Sequence, residues 1–194
     1  HGAMRFAAAP RKELGIKTIM NLLGPLANPA AAGYQLLGVF DEQYCEPVAK
    51  AAGLLGIRRV MVVHGLDGQD ELSVCAPSRV VLVEENGSIE SSILEPGEMG
   101  VELHPLEELI GGDAEENTRL AREILDGGGR KAIRDAVALN AGAALYVYGA
   151  AESIAAGTQR ALEAISNGDV TRQIERVVSS SHRAAIEEES GDAA

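Results

Sequence analysis

The run Arg58-Arg59-Val60-Met61-Val62-Val63-His64 constrains this chain more than any other segment. Four consecutive apolar residues without polar alternation read as a strand covered on both faces, the kind found inside an α/β sheet. The preceding residues agree. Tyr34 to Phe40 reads as a short apolar strand, and Asp41 to Leu55 as a helix whose true start Pro47 displaces towards Cys45. Gly56 closes that helix. Strand, helix and strand with short links make a βαβ unit, which implies parallel pairing and a right-handed crossover.

The following segment adds antiparallel pairing. Arg79 to Glu85 and Ser88 to Leu94 flank Asn86-Gly87, a strong hairpin signal. From Pro105 the pattern turns helical. Asp113 followed by Glu116 has the form of an N-cap, and Gly127-Gly128-Gly129 ends that helix. Ala132 to Tyr148 is long and nearly apolar, as suits a helix buried against a sheet. Ser153 to Ser166 and Val170 to Ser179 read as amphipathic helices, and Ala3 to Leu14 as a helix stopped by Gly15. Between Asn21 and Pro29, two Gly/Pro/Asn clusters predict an irregular apolar loop.

The expected fold is therefore α/β: a mixed, partly parallel sheet with a βαβ unit and a β-hairpin, flanked by helices, with a helical carboxy-terminal third. Residues 1–181 are expected to form one domain. Residues 182–194, with Glu187-Glu188-Glu189, are expected to form an acidic, disordered tail.

Composition narrows the function. Asp and Glu outnumber Lys and Arg by 29 to 17, a net charge of −12, so general nucleic-acid binding is disfavoured. No apolar run approaches the ~20 residues needed to span a bilayer, so no membrane partner is expected. Cys45 and Cys75 are too few for a disulfide framework; they read as buried free thiols, in keeping with a cytoplasmic location.

The chemistry concentrates in His64-Gly65-Leu66-Asp67-Gly68-Gln69-Asp70-Glu71, which follows the carboxyl end of the buried strand, where open α/β sheets place ligands. Two readings stand. Adjacent carboxylates at Asp70 and Glu71 on a glycine-bearing loop suit Mg²⁺ completed by a phosphate substrate, and they equally suit a solvated acidic turn. An EF-hand fails for want of alternating ligands. The Asn21–Pro29 segment reads either as one wall of a flat apolar pocket or as a structural connection. Gly127 to Gly129 follows a helix and so reads as a helix stop, not a phosphate cradle. His104 and His182 lack companions at metal-ligand spacing and read as surface residues.

Arg11-Lys12-Glu13-Leu14-Gly15-Ile16-Lys17-Thr18, running into Asn21-Leu22-Leu23-Gly24-Pro25-Leu26-Ala27-Asn28-Pro29, resembles the anthranilate phosphoribosyltransferase family of tryptophan biosynthesis. So do His64-Gly65 through Asp70-Glu71-Leu72-Ser73, Gly111 to Asn117, and Leu139-Asn140-Ala141. These motifs keep their order from residue 1 to about residue 180. The resemblance implies transfer of a phosphoribosyl group from phosphoribosyl pyrophosphate to the amine of anthranilate. By the same resemblance, Asp70 and Glu71 hold Mg²⁺ and Arg11 binds the anthranilate carboxylate. Pro25 lines the approach of the aromatic ring, and His1, if native, sits beside that channel. His1-Gly2-Ala3-Met4 reads either as the family's His-Pro-Ala-Met, departing at Gly2, or as the scar of a cleaved tag. Lys17 and Met20 depart from the family's usual Arg and Phe without removing a group of chemical role.

The resemblance further implies a full chain roughly twice as long. Its amino-terminal half would bring a small helical domain through which the enzyme forms a homodimer, and a Gly-Thr-Gly-Gly-Asp loop that cradles pyrophosphate. The present chain is thus expected to be the carboxy-terminal part of the large α/β domain, inactive alone. The alternatives are a pyrimidine nucleoside phosphorylase-like relative and a non-catalytic binding descendant. The Arg11 motif and Gly24-Pro25 weigh against the first, the negative charge and Asp70-Glu71 against the second.

Overall fold

A computed structural model describes residues 13, 15 and 18–191, with side chains described to residue 184. Among the described residues there are six α-helices and four strands. In chain order these are α1 (Ile19–Leu26), β1 (Tyr34–Gly38), α2 (Cys45–Leu54), β2 (Arg59–Gly65), β3 (Ser78–Val83), β4 (Ile89–Leu94), α3 (Ala114–Leu125), α4 (Lys131–Tyr148), α5 (Ile154–Ser166) and α6 (Asp169–Gly191). The strands form one sheet in the order β1-β2-β3-β4. β1 and β2 are parallel and the other two pairs antiparallel, the mixed sheet expected from the pattern.

β2 organises the core. Val60, Met61, Val62 and Val63 are all 0–1% exposed, and each such burial stabilises the fold by roughly 1.5–3 kcal/mol before entropy is counted. Because successive side chains point to opposite faces, Val60 and Val62 pack under α2 with Val48, Ala49 and Ala52. Met61 and Val63 pack under α4 with Leu139, Ala143 and Val147. The two faces thus account for a strand with no polar alternation. The hairpin turns at Asn86-Gly87 as expected: Glu84 N–H donates to the Ser88 carbonyl, and Gly87 at φ +82° supplies the left-handed residue.

Three expectations are corrected. The Asn21–Pro29 segment is not an irregular loop throughout, because residues 19–26 form α1 with Pro25 inside it. Thr18 caps this helix, its hydroxyl accepting from Met20 N–H, while Asn21 reaches back to accept from the Thr18 N–H. Pro25 is tolerated because the helix ends within two residues of it. Gly24 also lacks the Cβ that normally clashes with a following proline ring. The helix expected over Val170–Ser179 runs on to Gly191, so residues 182–191, expected as a disordered tail, carry helical backbone. The expected helix over Ala3–Leu14 lies almost wholly outside the described residues.

His104 is the third correction. It is not a surface residue: it is 8% exposed, and its Nε2 lies 2.8 Å from Oδ2 of Asp135, itself 2% exposed. Arg134 donates to Asp135 Oδ1 at 3.1 Å, and the His104 N–H donates to the Val74 carbonyl. The pair therefore ties the segment after β4 to α4. Asp135→Asn is expected to lower stability by ~1–3 kcal/mol, because one of the Asp135 oxygens becomes a donor facing a donor. Urea denaturation of the variant beside the parent chain measures this.

Cys45, the first residue of α2, is buried as a free thiol, and Cys75 is free and half-buried. Burial pushes the Cys45 thiol up to about 11 from 9.0, with the Arg79 guanidinium offsetting part of the rise. The neutral thiol thus belongs to the folded state. Its stabilising contribution is complete below pH ~9, where the unfolded thiol is also neutral, and is lost as pH rises towards 11. Chemical denaturation across that range is expected to show this decline in the parent chain and a shallower one in Cys45→Ala.

Along α4, Val137 and Tyr148 are exposed. With Ile124, Ile165, Val170 and Ile174 they line an apolar groove of about 630 Å³ between the carboxy-terminal helices. No helix among the described residues is long and apolar enough to cross a membrane.

Candidate active site

Parallel pairing brings the carboxyl ends of β1 and β2 to the same edge of the sheet, at Gly38 and Gly65. Val39 N–H donates to the Val63 carbonyl there, and the buried His64 places Nδ1 2.8 Å from the Val39 carbonyl, which fixes Nδ1 as the donor. The chain then folds over that edge. Gly65 N–H donates to the Gln69 carbonyl, and Gly68, at φ +97°, makes the tight turn between them.

A polar knot holds this loop. The Ser73 hydroxyl donates to Asp67 Oδ2 at 2.7 Å and accepts from Cys75 N–H at 2.8 Å. Gln69 Nε2 donates to Asp67 Oδ2 at 2.7 Å, and the buried Ser73 N–H donates to the Ser78 hydroxyl at 2.9 Å. Burial raises the Asp67 carboxyl, but the hydrogen bonds from Ser73 and Gln69 outweigh it and hold the group below the ordinary carboxylate range. Asp67 is therefore a structural anion whose lone pairs are committed to the loop.

Asp70 and Glu71 differ. Both are exposed, and among the described residues neither carboxylate makes a hydrogen bond or ion pair. Glu71 reaches solvent, yet shielding of its carboxyl raises it above the usual range, and the charges of Asp70 and Asp67 raise it further. Such a pair gains from a cation. Among the described residues no group of three His, Cys, Asp or Glu converges as a ligand set. Two oxygen-only side chains suit Mg²⁺, which keeps several waters and completes its shell from substrate phosphates. The residues present thus fit the metal expected from the resemblance.

Leu72, fully buried, follows directly. Its N–H donates to Asn140 Oδ1 at 3.0 Å and its carbonyl accepts from Asn140 Nδ2 at 2.9 Å. Asn140 lies on α4, 68 residues further along the chain. Its place in this loop was missed in the sequence, as was the role of Ser73. The available signal was an amide inside the nearly apolar helix, since a polar group there needs a partner.

Asp70 and Glu71, neighbours in the chain, lie in the loop that follows β2, at the carboxyl end of the parallel pair. Pro25 is exposed in the last turn of α1, where Leu22 anchors the helix to the α2 side of the core. Arg11 and His1 lie outside the described residues. Gly127, at φ +83°, stops α3 as expected, and Asp113 caps that helix by accepting from Glu116 N–H.

An open mixed sheet with one crossover helix and an acidic loop at its carboxyl edge defines an α/β domain. Residues 1–171 match the model of the glycosyl transferase family, a/b domain, and the chain belongs to that family. Among its curated relatives is the anthranilate phosphoribosyltransferase of Myxococcus xanthus, 43% identical over 178 residues, which are 92% of this chain and 52% of that protein. The anthranilate phosphoribosyltransferase of Methylobacterium radiotolerans is 46% identical over 182 residues, 94% of this chain and 52% of that one.

Solved structures agree. The chain is similar to anthranilate phosphoribosyltransferase from Thermus thermophilus, with a TM-score of 0.81, 43% identity, and coverage of 92% of this chain and 52% of that one. It is also similar to the Saccharomyces cerevisiae enzyme in complex with PRPP and Mg, with a TM-score of 0.81, 29% identity, and coverage of 90% and 50%. The chain spans about half the length of the curated relatives it matches.

Proposed function

We propose that this chain is the carboxy-terminal part of the α/β domain of an anthranilate phosphoribosyltransferase, acting in the cytoplasm within a homodimer formed through an amino-terminal domain. The observation that carries the reading is the Asp70-Glu71 pair at the carboxyl end of the parallel strands, its carboxylates without a partner among the described residues. Relatives that carry this activity, one of them solved with PRPP and Mg, support it. Its partners are anthranilate and phosphoribosyl pyrophosphate, with neither nucleic acid nor membrane.

In this reading the anthranilate amine forms a bond to C1 of the ribose as the bond from C1 to pyrophosphate breaks. Asp70 and Glu71 hold Mg²⁺ through their carboxylate oxygens. The bound ion neutralises charge on the departing pyrophosphate. The protein contributes positioning and charge stabilisation, with no covalent step of its own. Arg11 pairs its planar guanidinium with the anthranilate carboxylate, a geometry suited to a two-point contact. Pro25 lines the approach of the ring, and His1 flanks it.

Arg11 gives the discriminating experiment. In the full-length enzyme, Arg11→Ala is expected to raise the KM for anthranilate roughly ten- to a hundred-fold, the size of a lost charge-assisted contact. The KM for the phosphoribosyl donor stays nearly constant, because other groups hold that substrate. Loss of anthranilate fluorescence during turnover measures both constants. Equal shifts in the two, or none, would refute this role for Arg11.

A further inference from the structure

We infer that Asn140 is a positioning residue for the Asp70-Glu71 pair, acting through the backbone of Leu72; the inference rests on the proposed metal-binding role of that pair. The peptide unit is planar, so whatever fixes an N–H also fixes the carbonyl and Cα of the residue before it. Asn140 Oδ1 holds the Leu72 N–H at 3.0 Å and so orients the plane that joins Glu71 to Leu72. Asn140 Nδ2 holds the Leu72 carbonyl at 2.9 Å and orients the next plane.

The plane before Glu71 is fixed independently. The Asp70 carbonyl packs directly on Gly38, where a Cβ would lie 1.6 Å from its oxygen. Both peptide planes that flank Glu71 are thus set, one by strand β1 and one by helix α4. Glu71 has no hydrogen bond of its own among the described residues, so its direction depends on these two supports.

Both donor protons of Asn140 are used. Its second Nδ2 proton goes to the Ala136 carbonyl at 3.0 Å, one turn back on α4, which fixes the carboxamide plane itself. Leu139 and Ala143 on the same helix are fully buried against Leu72 in one apolar cluster. The amide is therefore carried by a rigid element and stands beside dry packing. A helix interior favours Ala over Asn, and the bidentate hold on Leu72 explains the amide at this position.

The test measures metal affinity directly, using Mn²⁺ alone as the probe. Broadening of the Glu71 and Leu72 amide resonances by Mn²⁺ gives an apparent Kd for the intact chain. Asn140→Ala is expected to raise that Kd by about ten-fold, the usual size for loss of an outer support of a metal ligand. Asn140→Ser can still bond the Ala136 carbonyl but cannot span Leu72; it is expected to behave alike and provides a folded variant should Asn140→Ala unfold.

Ile165→Ala is the control, since it removes core packing between α5 and α4 in a separate buried cluster that holds no residue of the loop, and leaves the amide and Leu72 in place. Its Kd is expected to match the parent chain while its melting temperature falls. An unchanged Kd in the Asn140 variants, or an equal shift in Ile165→Ala, overturns the inference. Asp70→Asn/Glu71→Gln separates the two levels. If that double variant binds Mn²⁺ as the parent does, the metal reading itself fails and the positioning role falls with it.

Discussion

Replacing either carboxylate of the Asp70-Glu71 pair is expected to reduce kcat/KM for the phosphoribosyl donor by about 10²–10³ in the full-length enzyme, the size seen when one group that stabilises developing charge is lost. Folding should not suffer. Neither side chain has a hydrogen bond or ion pair to lose among the described residues. The Glu71 carboxyl is raised by shielding and by its acidic neighbours, so its ionised form is disfavoured in the folded chain. A group raised in this way contributes stability at low pH that is lost as pH rises through its titration. Glu71→Gln, neutral at all pH, should therefore be as stable as the parent at neutral pH, or slightly more so.

A second measurement separates metal loss from general damage. A ligand that binds only the folded state stabilises it by mass action. Mg²⁺ together with the phosphoribosyl donor should then raise the melting temperature of the parent enzyme, and that rise should shrink in Asp70→Asn and Glu71→Gln. Melting curves with and without Mg²⁺, set beside initial rates over a range of Mg²⁺ concentration, check both effects. Unchanged Mg²⁺ dependence with normal turnover would refute the assignment.

What the sequence disclosed, and what it concealed, divides along the range of the interactions. Val60 to Val63 lack alternation because both faces of β2 are covered, and that pattern is local. Asn86-Gly87 and the Asp113 cap are equally local, and each lies where expected. The position of Asp70-Glu71 followed from knowing where β2 ends. Long-range contacts were not readable. His104 looked solitary because its partner Asp135 lies 31 residues away on another element. Asp135 and Asn140, polar residues inside an apolar helix, carried the hint that something must meet them, without saying what. At Gly24-Pro25 two strong breakers were outweighed by a good N-terminal cap and by closeness to the helix end.

Gly38→Ala is expected to damage both geometry and stability, and its neighbour Gly65 provides the comparison that identifies the cause. An added Cβ at position 38 would lie 1.6 Å from the Asp70 carbonyl oxygen and 2.5 Å from its carbon, both backbone atoms. No rotamer change relieves that overlap. Either β1 or the loop that carries Asp70 and Glu71 must move by more than an ångström. Forced overpacking of this kind costs ~1–3 kcal/mol. A displacement of that size at a catalytic group reduces turnover by about 10². At Gly65 the nearest atoms to an added Cβ are the side-chain atoms Asp67 Oδ1 at 2.6 Å and Ser73 Cβ at 3.0 Å. Those side chains are tied together but are not backbone, so the loop yields with a smaller shift. Gly65→Ala should accordingly lose less stability and less turnover than Gly38→Ala. Neither glycine has a positive φ, so backbone strain does not confuse the comparison. Thermal denaturation and initial rates for the two variants, in the full-length enzyme, give the ranking. A Gly38→Ala variant that matches the parent in both would mean that the loop does not rest on β1 as the structure places it.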